Sequence, residues 1–145
     1  MLLRKAQQSS KIIMYWNGFL AVGIGAASGA WLRWGLSLML NPLFSKLPLG
    51  TLSANLLGGY LIGLMLGLCS FNESLPVALR LLIVTGFLGG LTTFSTFSAE
   101  VVTLFLRQQY TWAIATLSVH VFGSLMLTLL GVGTIQLLRS YSVLN

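Results

Sequence analysis

The residues best suited to chemistry in this chain are crowded into one short stretch, Gly86-Phe87-Leu88-Gly89-Gly90-Leu91-Thr92-Thr93-Phe94-Ser95-Thr96-Phe97-Ser98. Adjacent glycines precede Thr92, Thr93, Ser95 and Thr96, four hydroxyls within five positions. Hydroxyls offer hydrogen-bond donors and acceptors without carrying charge. Phe94 and Phe97 are three apart, so a helix would present them on one face. An aromatic ring has a negative face and a positive edge, and its edge attracts anions. Gly and β-branched Thr are weaker helix formers than Leu or Ala. An unwound turn here would free carbonyl oxygens for a small cation, while a half-helix amino terminus favours an anion.

Other chemistry is sparse. One histidine, His120, and two acids far apart, Glu73 and Glu100, assemble no acid–base pair or triad, so enzyme function is set aside. Cys69 is the single cysteine, which excludes an intramolecular disulfide or a cysteine-built metal site; it reads as a small packing residue.

The elements that position these residues follow from composition. The chain has 145 residues, 56% hydrophobic and 7% charged. A soluble domain carries roughly 25% charged residues, so so few charges cannot cover a water-facing surface. Lipid must cover much of it, and the protein is an all-α membrane protein. The net charge of +6 does not indicate nucleic-acid binding, because Arg4, Lys5, Lys11, Lys46, Arg80, Arg107 and Arg139 flank apolar runs. Such cations meet lipid headgroups and set orientation.

A spanning helix needs about 20 mostly apolar residues, and four spans with short loops use nearly the whole chain. Residues 1–14 form a basic, loosely ordered tail, 15–139 a single four-helix domain, and 140–145 a short carboxyl tail. Span one, about Tyr15–Leu40, is longer than a signal-peptide core and is read as retained. Tyr15, Trp16, Trp31 and Trp34 are its interfacial anchors. Span two covers about Leu49–Leu68, with Ser70, Asn72 and Glu73 in the following turn. Pro76 opens span three, where proline suits a first helical turn, and Arg107 to Gln109 close it. Span four runs from Tyr110 to about Leu138. The amino-terminal side carries more cations, which puts both termini in the cytoplasm. Without the tail that bias nearly vanishes, so insertion in both orientations is expected.

Gly59, Gly63 and Gly67 recur every fourth residue in span two, as do Ala21, Gly25 and Gly29 in span one. Small residues at this spacing let helix backbones approach closely, the main route to helix association in lipid. They predict tight packing and no particular activity.

On these grounds two readings of span three stay open. One is a packing kink with Ser and Thr bonding back to their own helix. The other is an interruption lining a wet path, since non-helical backbone at membrane depth needs protein or water around it. The segment GFLGGLTTFSTFSAE resembles the signature of the Fluc (CrcB-type) fluoride channels. GIGAASGAWLRW in span one and LGTLSANLLGGYLIGL in span two resemble the same family. The three stretches come in the family's order, and the resemblance covers about 23–128. Leu88 departs from it, standing where relatives often carry a small residue or cysteine.

That resemblance implies an antiparallel, dual-topology homodimer in a bacterial inner membrane, with two F⁻ pores along its interface. It implies a structural Na⁺ on the dimer axis, held by the carbonyls of Gly89 and Thr92. Phe94 and Phe97 match the pore phenylalanines, with Thr93 and Ser95 on the same path. Asn55 matches an asparagine whose amide donates to the ion. His120, Ser124 and Thr128, four apart on one face, match a polar track in the fourth helix. Glu100 matches a glutamate near the pore, and Arg33 an arginine that gathers anions.

Each residue also has a plainer use. Asn55 can join helices, His120 can be an interior histidine, Arg33 can snorkel, and Glu100 can meet a cation or a headgroup. The alternative function is a small four-helix, dual-topology multidrug or cation exporter. It needs a membrane-embedded carboxylate, and the only charge in span one is Arg33. A structural subunit without transport would need neither the break nor the hydroxyl cluster.

Overall fold

The structure is a computed structural model that describes residues 2–44, 46–70 and 75–144, with side chains from residue 14 to 142 within them. Those residues are helical throughout, apart from turns and one interruption. In order they are α1 (Leu2–Leu40), a 3-10 turn (Asn41–Leu43), α2 (Leu49–Ser70), α3 (Val77–Arg80), π-helical turns (Leu81–Leu88), α4 (Gly89–Leu91), α5 (Phe94–Leu106) and α6 (Tyr110–Leu144). The described stretches 49–70, 77–106 and 110–142 are each long and apolar enough to cross a membrane. α1 is longer, and its run of Gly, Ala and Ser makes it less apolar. Its far end at Leu40 is where the sequence places it.

The expected amino-terminal tail differs, because α1 is helical from Leu2. Residues 2–14 contain Leu, Arg, Lys, Ala and Gln, all good helix formers, and neither Gly nor Pro to stop the helix. α6 likewise continues to Leu144. The expected turn at Asn72 and Glu73 lies outside the described residues.

α1 packs along residues 77–91 and touches α2, while α6 packs on α2 and α5. The two halves of span three therefore rest on different neighbours. Glycine makes both main seams possible. A methyl added at Gly29 would run into the Phe87 carbonyl and the Leu91 amide, and one at Gly25 into the Leu82 carbonyl. Across α2 and α6, Gly59, Gly63 and Gly67 lie against Ser124, Thr128 and Ile135. Asn41 Oδ1 accepts from Gly50 N–H at 2.8 Å and so caps the start of α2. α5 ends on paired carbonyl bonds, Gln109 N–H to Leu104 O and Gln108 N–H to Phe105 O, with Gln108 at φ 59° where glycine is usual.

Among the described residues, seven hydrophobic and five polar side chains are buried: Thr51, Asn55, Thr93, Thr116 and His120 are the polar five. Apolar side chains instead cover the outside, from Trp16 and Phe19 to Leu129 and Leu138. A surface of this kind calls for lipid or another protein rather than water.

The interrupted helix and the groove beside it

Span three breaks at Thr92 and Thr93, whose backbones are extended (φ −81°, ψ 154° and φ −152°, ψ 122°). The break falls two residues beyond Gly89-Gly90, which remain helical. Glycine here serves contact instead: a methyl at Gly90 would meet the Ala26 carbonyl. Upstream, the wider π-helical turns of Leu81–Leu88 already depart from the ordinary ladder, as such turns often do near functional sites.

Hydrogen bonds show how the chain holds the opening. Thr93 N–H would close on Gly89 O in a continuous helix. It donates instead to Asn55 Oδ1 at 2.7 Å, and Asn55 Nδ2 returns a bond to Thr93 O at 3.0 Å. Thr96 N–H would close on Thr92 O, and donates instead to Thr93 Oγ1 at 3.2 Å, which caps α5. Thr92 Oγ1 turns back to Leu88 O at 2.9 Å, and the Thr92 methyl sits where a side chain at Gly58 would be.

Two consequences follow. The carbonyls of Gly89 and Thr92 are both released from their helical partners, which suits the oxygen set a small hard cation prefers. The thirteen-residue α5 also starts at the break, so its positive end faces the opening.

Beside the break lies a groove of about 410 Å³, bordered by α2, the break and α6. It brings together Asn55, Thr93, Phe94, Phe97, His120, Ser124 and Thr128. Phe97 is buried, and Phe94 is 77% exposed on the outer side. Their rings meet edge to face at 4.9 Å, and Phe97 stacks on His120 at 4.8 Å. Asn55 Nδ2 also lies 3.0 Å from His120 Nδ1. Thr128 Oγ1 has its single O–H within reach of two carbonyls, Ser124 O on its own helix at 2.9 Å and Gly59 O across on α2 at 3.1 Å, a link between helices as well as a groove wall.

The remaining expected residues lie elsewhere. Ser95 is exposed on the first turn of α5, 3.4 Å from Thr93 Oγ1. Glu100 lines a second groove of about 270 Å³ with Lys46, Thr96, Thr103 and Arg107. Its Oε1 accepts from Thr51 Oγ1 at 2.6 Å, and its Oε2 is buried without a partner. Arg33, half-buried on α1, borders neither groove. Sequence reasoning missed Thr51 and Gly58. Thr51, Asn55 and Gly59 share a four-residue spacing, a signal for Thr51; nothing local marked Gly58.

An interrupted apolar helix, beside a groove bordered by apolar side chains, aromatic rings and a few polar groups, defines a small helical membrane protein with room for a small solute. The family described as "CrcB-like protein, Camphor Resistance (CrcB)" matches residues 20–132. A protein of Nitrosospira multiformis named "Fluoride-specific ion channel FluC" is 57% identical over 121 residues, 83% of this chain and 94% of its own length. Proteins of the same name from Cupriavidus pinatubonensis and Pseudomonas putida are 59% and 54% identical, covering 83% and 81% of this chain and 96% and 93% of theirs. The chain belongs to the CrcB family.

Proposed function

We propose that this protein is a passive, fluoride-selective channel of the bacterial inner membrane that lets F⁻ leave the cytoplasm. Support comes from the interrupted span opening on a groove of donors and aromatic rings, in a chain whose relatives are named as fluoride channels. F⁻ is small and strongly hydrated, so leaving water requires replacement donors at close range. The exposed start of α5, the hydroxyls of Ser95 and Ser124, the edges of Phe94 and Phe97, and the polar groups of Thr93, Asn55, His120 and Thr128 supply them. None carries a full charge, which keeps binding weak enough for exit.

The groove is open on one side, and Phe94 projects from it. A second copy of the chain, inserted antiparallel, completes the wall and yields two pores along a homodimer interface. Facing breaks then bring four released carbonyls, Gly89 and Thr92 from each copy, around a structural Na⁺. That ion would hold the copies together and is not the transported species. Glu100, with Lys46 and Arg107 beside it, and Arg33 farther out, shape the charge at the mouth.

The multidrug-exporter reading fits less well. The one carboxylate among the described residues accepts from Thr51 and shares its groove with two cations, a poor site for a cationic drug.

The test is F⁻ efflux from liposomes holding purified protein, beside a Cl⁻ control. Rapid F⁻ loss with Cl⁻ retained is expected; equal fluxes, or none, would reject the proposal.

A further inference from the structure

One end of the molecule gathers two cations that its own carboxylate does not neutralise. The second groove is lined by Lys46 from the turn before α2, by Thr96, Glu100 and Thr103 on α5, and by Arg107 where that helix ends. Both cations are exposed. Glu100 shares the groove with them, yet its Oε1 accepts from Thr51 at 2.6 Å and its Oε2 meets no donor. Thr51 thus holds the carboxylate toward α2, and neither cation bonds to it. Lys46 lies instead over the Trp112 ring, 5.6 Å from its centre. That contact orients an ammonium without cancelling its charge.

The same end carries a collar of rings. Phe44 meets Trp112 edge to face at 5.4 Å, and Phe105 meets Tyr110 at 5.1 Å. Phe44, Phe105 and Tyr110 are exposed, as are Leu43 and Leu106 next to them in the chain. The apolar stretches ending at 106 and beginning at 110 are long enough to span. Rings at the ends of spanning helices settle at headgroup level. Two uncompensated cations therefore lie where lipid phosphates lie, beside side chains that call for acyl chains.

An occupant that suits this place is anionic at one end and apolar at the other. A free inorganic anion would answer the cations and leave the leucines and rings unmet. A zwitterionic headgroup would bring its own ammonium against Lys46 and Arg107. We propose that the groove between Lys46 and Arg107 seats the phosphodiester of an anionic phospholipid, with the acyl chains along Leu43, Phe105 and Leu106. Arg107 can meet two phosphate oxygens at once, and Lys46 adds a point charge. The site goes beyond the fluoride reading and does not depend on it. Under that reading, a seated phosphate would also lower the positive charge that gathers anions at the mouth.

The test is native mass spectrometry of the purified protein, released from neutral detergent after titration with phosphatidylglycerol or phosphatidylcholine. Retention of one phosphatidylglycerol per chain is expected, with phosphatidylcholine held much more weakly. Lys46→Gln and Arg107→Gln should each weaken retention about fivefold, and the double variant about thirtyfold. Arg80→Gln removes an exposed cation from the other end of span three and should leave retention within about twofold. Equal losses at Arg80 and Lys46 would mean charge attraction without a site, and would overturn the proposal. So would equal retention of the two lipids. Displacement by soluble glycerol phosphate at matched concentration would assign the groove to a free phosphate and overturn the lipid. No retention at all would do the same, as expected if a second copy of the chain covers the groove. If a variant fails to assemble, the two-lipid comparison on the wild-type protein decides the matter. Because binding is read without any flux, a protein that passes no F⁻ would end the proposed function and leave this result standing.

Discussion

Between α1 and residues 82–91 the backbones touch, whereas between α5 and α6 rings and polar side chains stand in the gap. In the first region Gly25, Gly29, Gly86 and Gly90 bring main chain against main chain, with carbonyls of the facing segment where a methyl would go. In the second, Phe97 and His120 occupy the space, and a groove remains. The same span takes part in both, and its character changes at Thr92–Thr93. The first half of span three is anchored rigidly by shape. Its second half is then free to begin a new helix whose amino terminus, rings and hydroxyls face a cavity. Close packing and an open path are neighbours because the break separates them.

The largest effect is expected in the close-packed seam. Gly29→Leu forces α1 away from Phe87 and Leu91 and should destabilise the fold by about 3 kcal/mol, read as a lower melting temperature and loss of the assembled species in detergent. Gly23 lies on the same helix with nothing within 4 Å of an added methyl. Gly23→Leu should therefore melt as wild type does. Equal effects at the two glycines would erase the distinction between seam and open face.

Next comes the clamp at the break. Asn55→Asp keeps an acceptor for Thr93 N–H but sets a carboxylate oxygen against Thr93 O and His120 Nδ1. A lost buried pair costs about 2 kcal/mol, so F⁻ efflux should fall roughly 30-fold with the protein still assembled. Unchanged efflux would show that the break does not depend on this amide.

On the groove side, Phe94→Ile removes an exposed ring without opening a buried cavity. Stability should hold, and F⁻ efflux should drop about fivefold through loss of a ring edge worth about 1 kcal/mol. A drop in melting temperature instead would make Phe94 a packing residue. The smallest effect belongs to Arg33→Ala. Arg33 borders neither groove, so efflux should change less than about twofold, and only at low ionic strength.

Much of the seam was legible in the chain. Four-residue spacing of small residues placed Gly25, Gly29, Gly59, Gly63 and Gly67 on helix faces, and the structure puts a neighbouring helix over each. The interruption of span three was legible too, though not its position. Local propensity points to Gly89-Gly90, yet the chain opens at Thr92–Thr93, because Asn55, 38 residues away, takes the Thr93 amide. Propensity can weaken a helix, but a distant partner decides which bond is given up. The same holds for Glu100, whose Thr51 partner lies 49 residues off. The amino-terminal helix was misread because positive charge suggested a tail, while the residue types favour helix. His120 stood out as a lone histidine. Its contacts with Asn55 and Phe97 became readable only once the fold brought the fourth span beside them.

The central claim is that span three is interrupted at Thr92–Thr93, so that the first turn of α5 is open to water while the turns on either side are sealed. Hydrogen–deuterium exchange of the protein in bilayers measures this directly. The amides of Phe94 and Ser95, on the first turn of α5, should exchange much faster than those of 82–88 and 101–106. Uniform protection from 82 to 106 would mean a continuous helix closed to water, and would contradict the account.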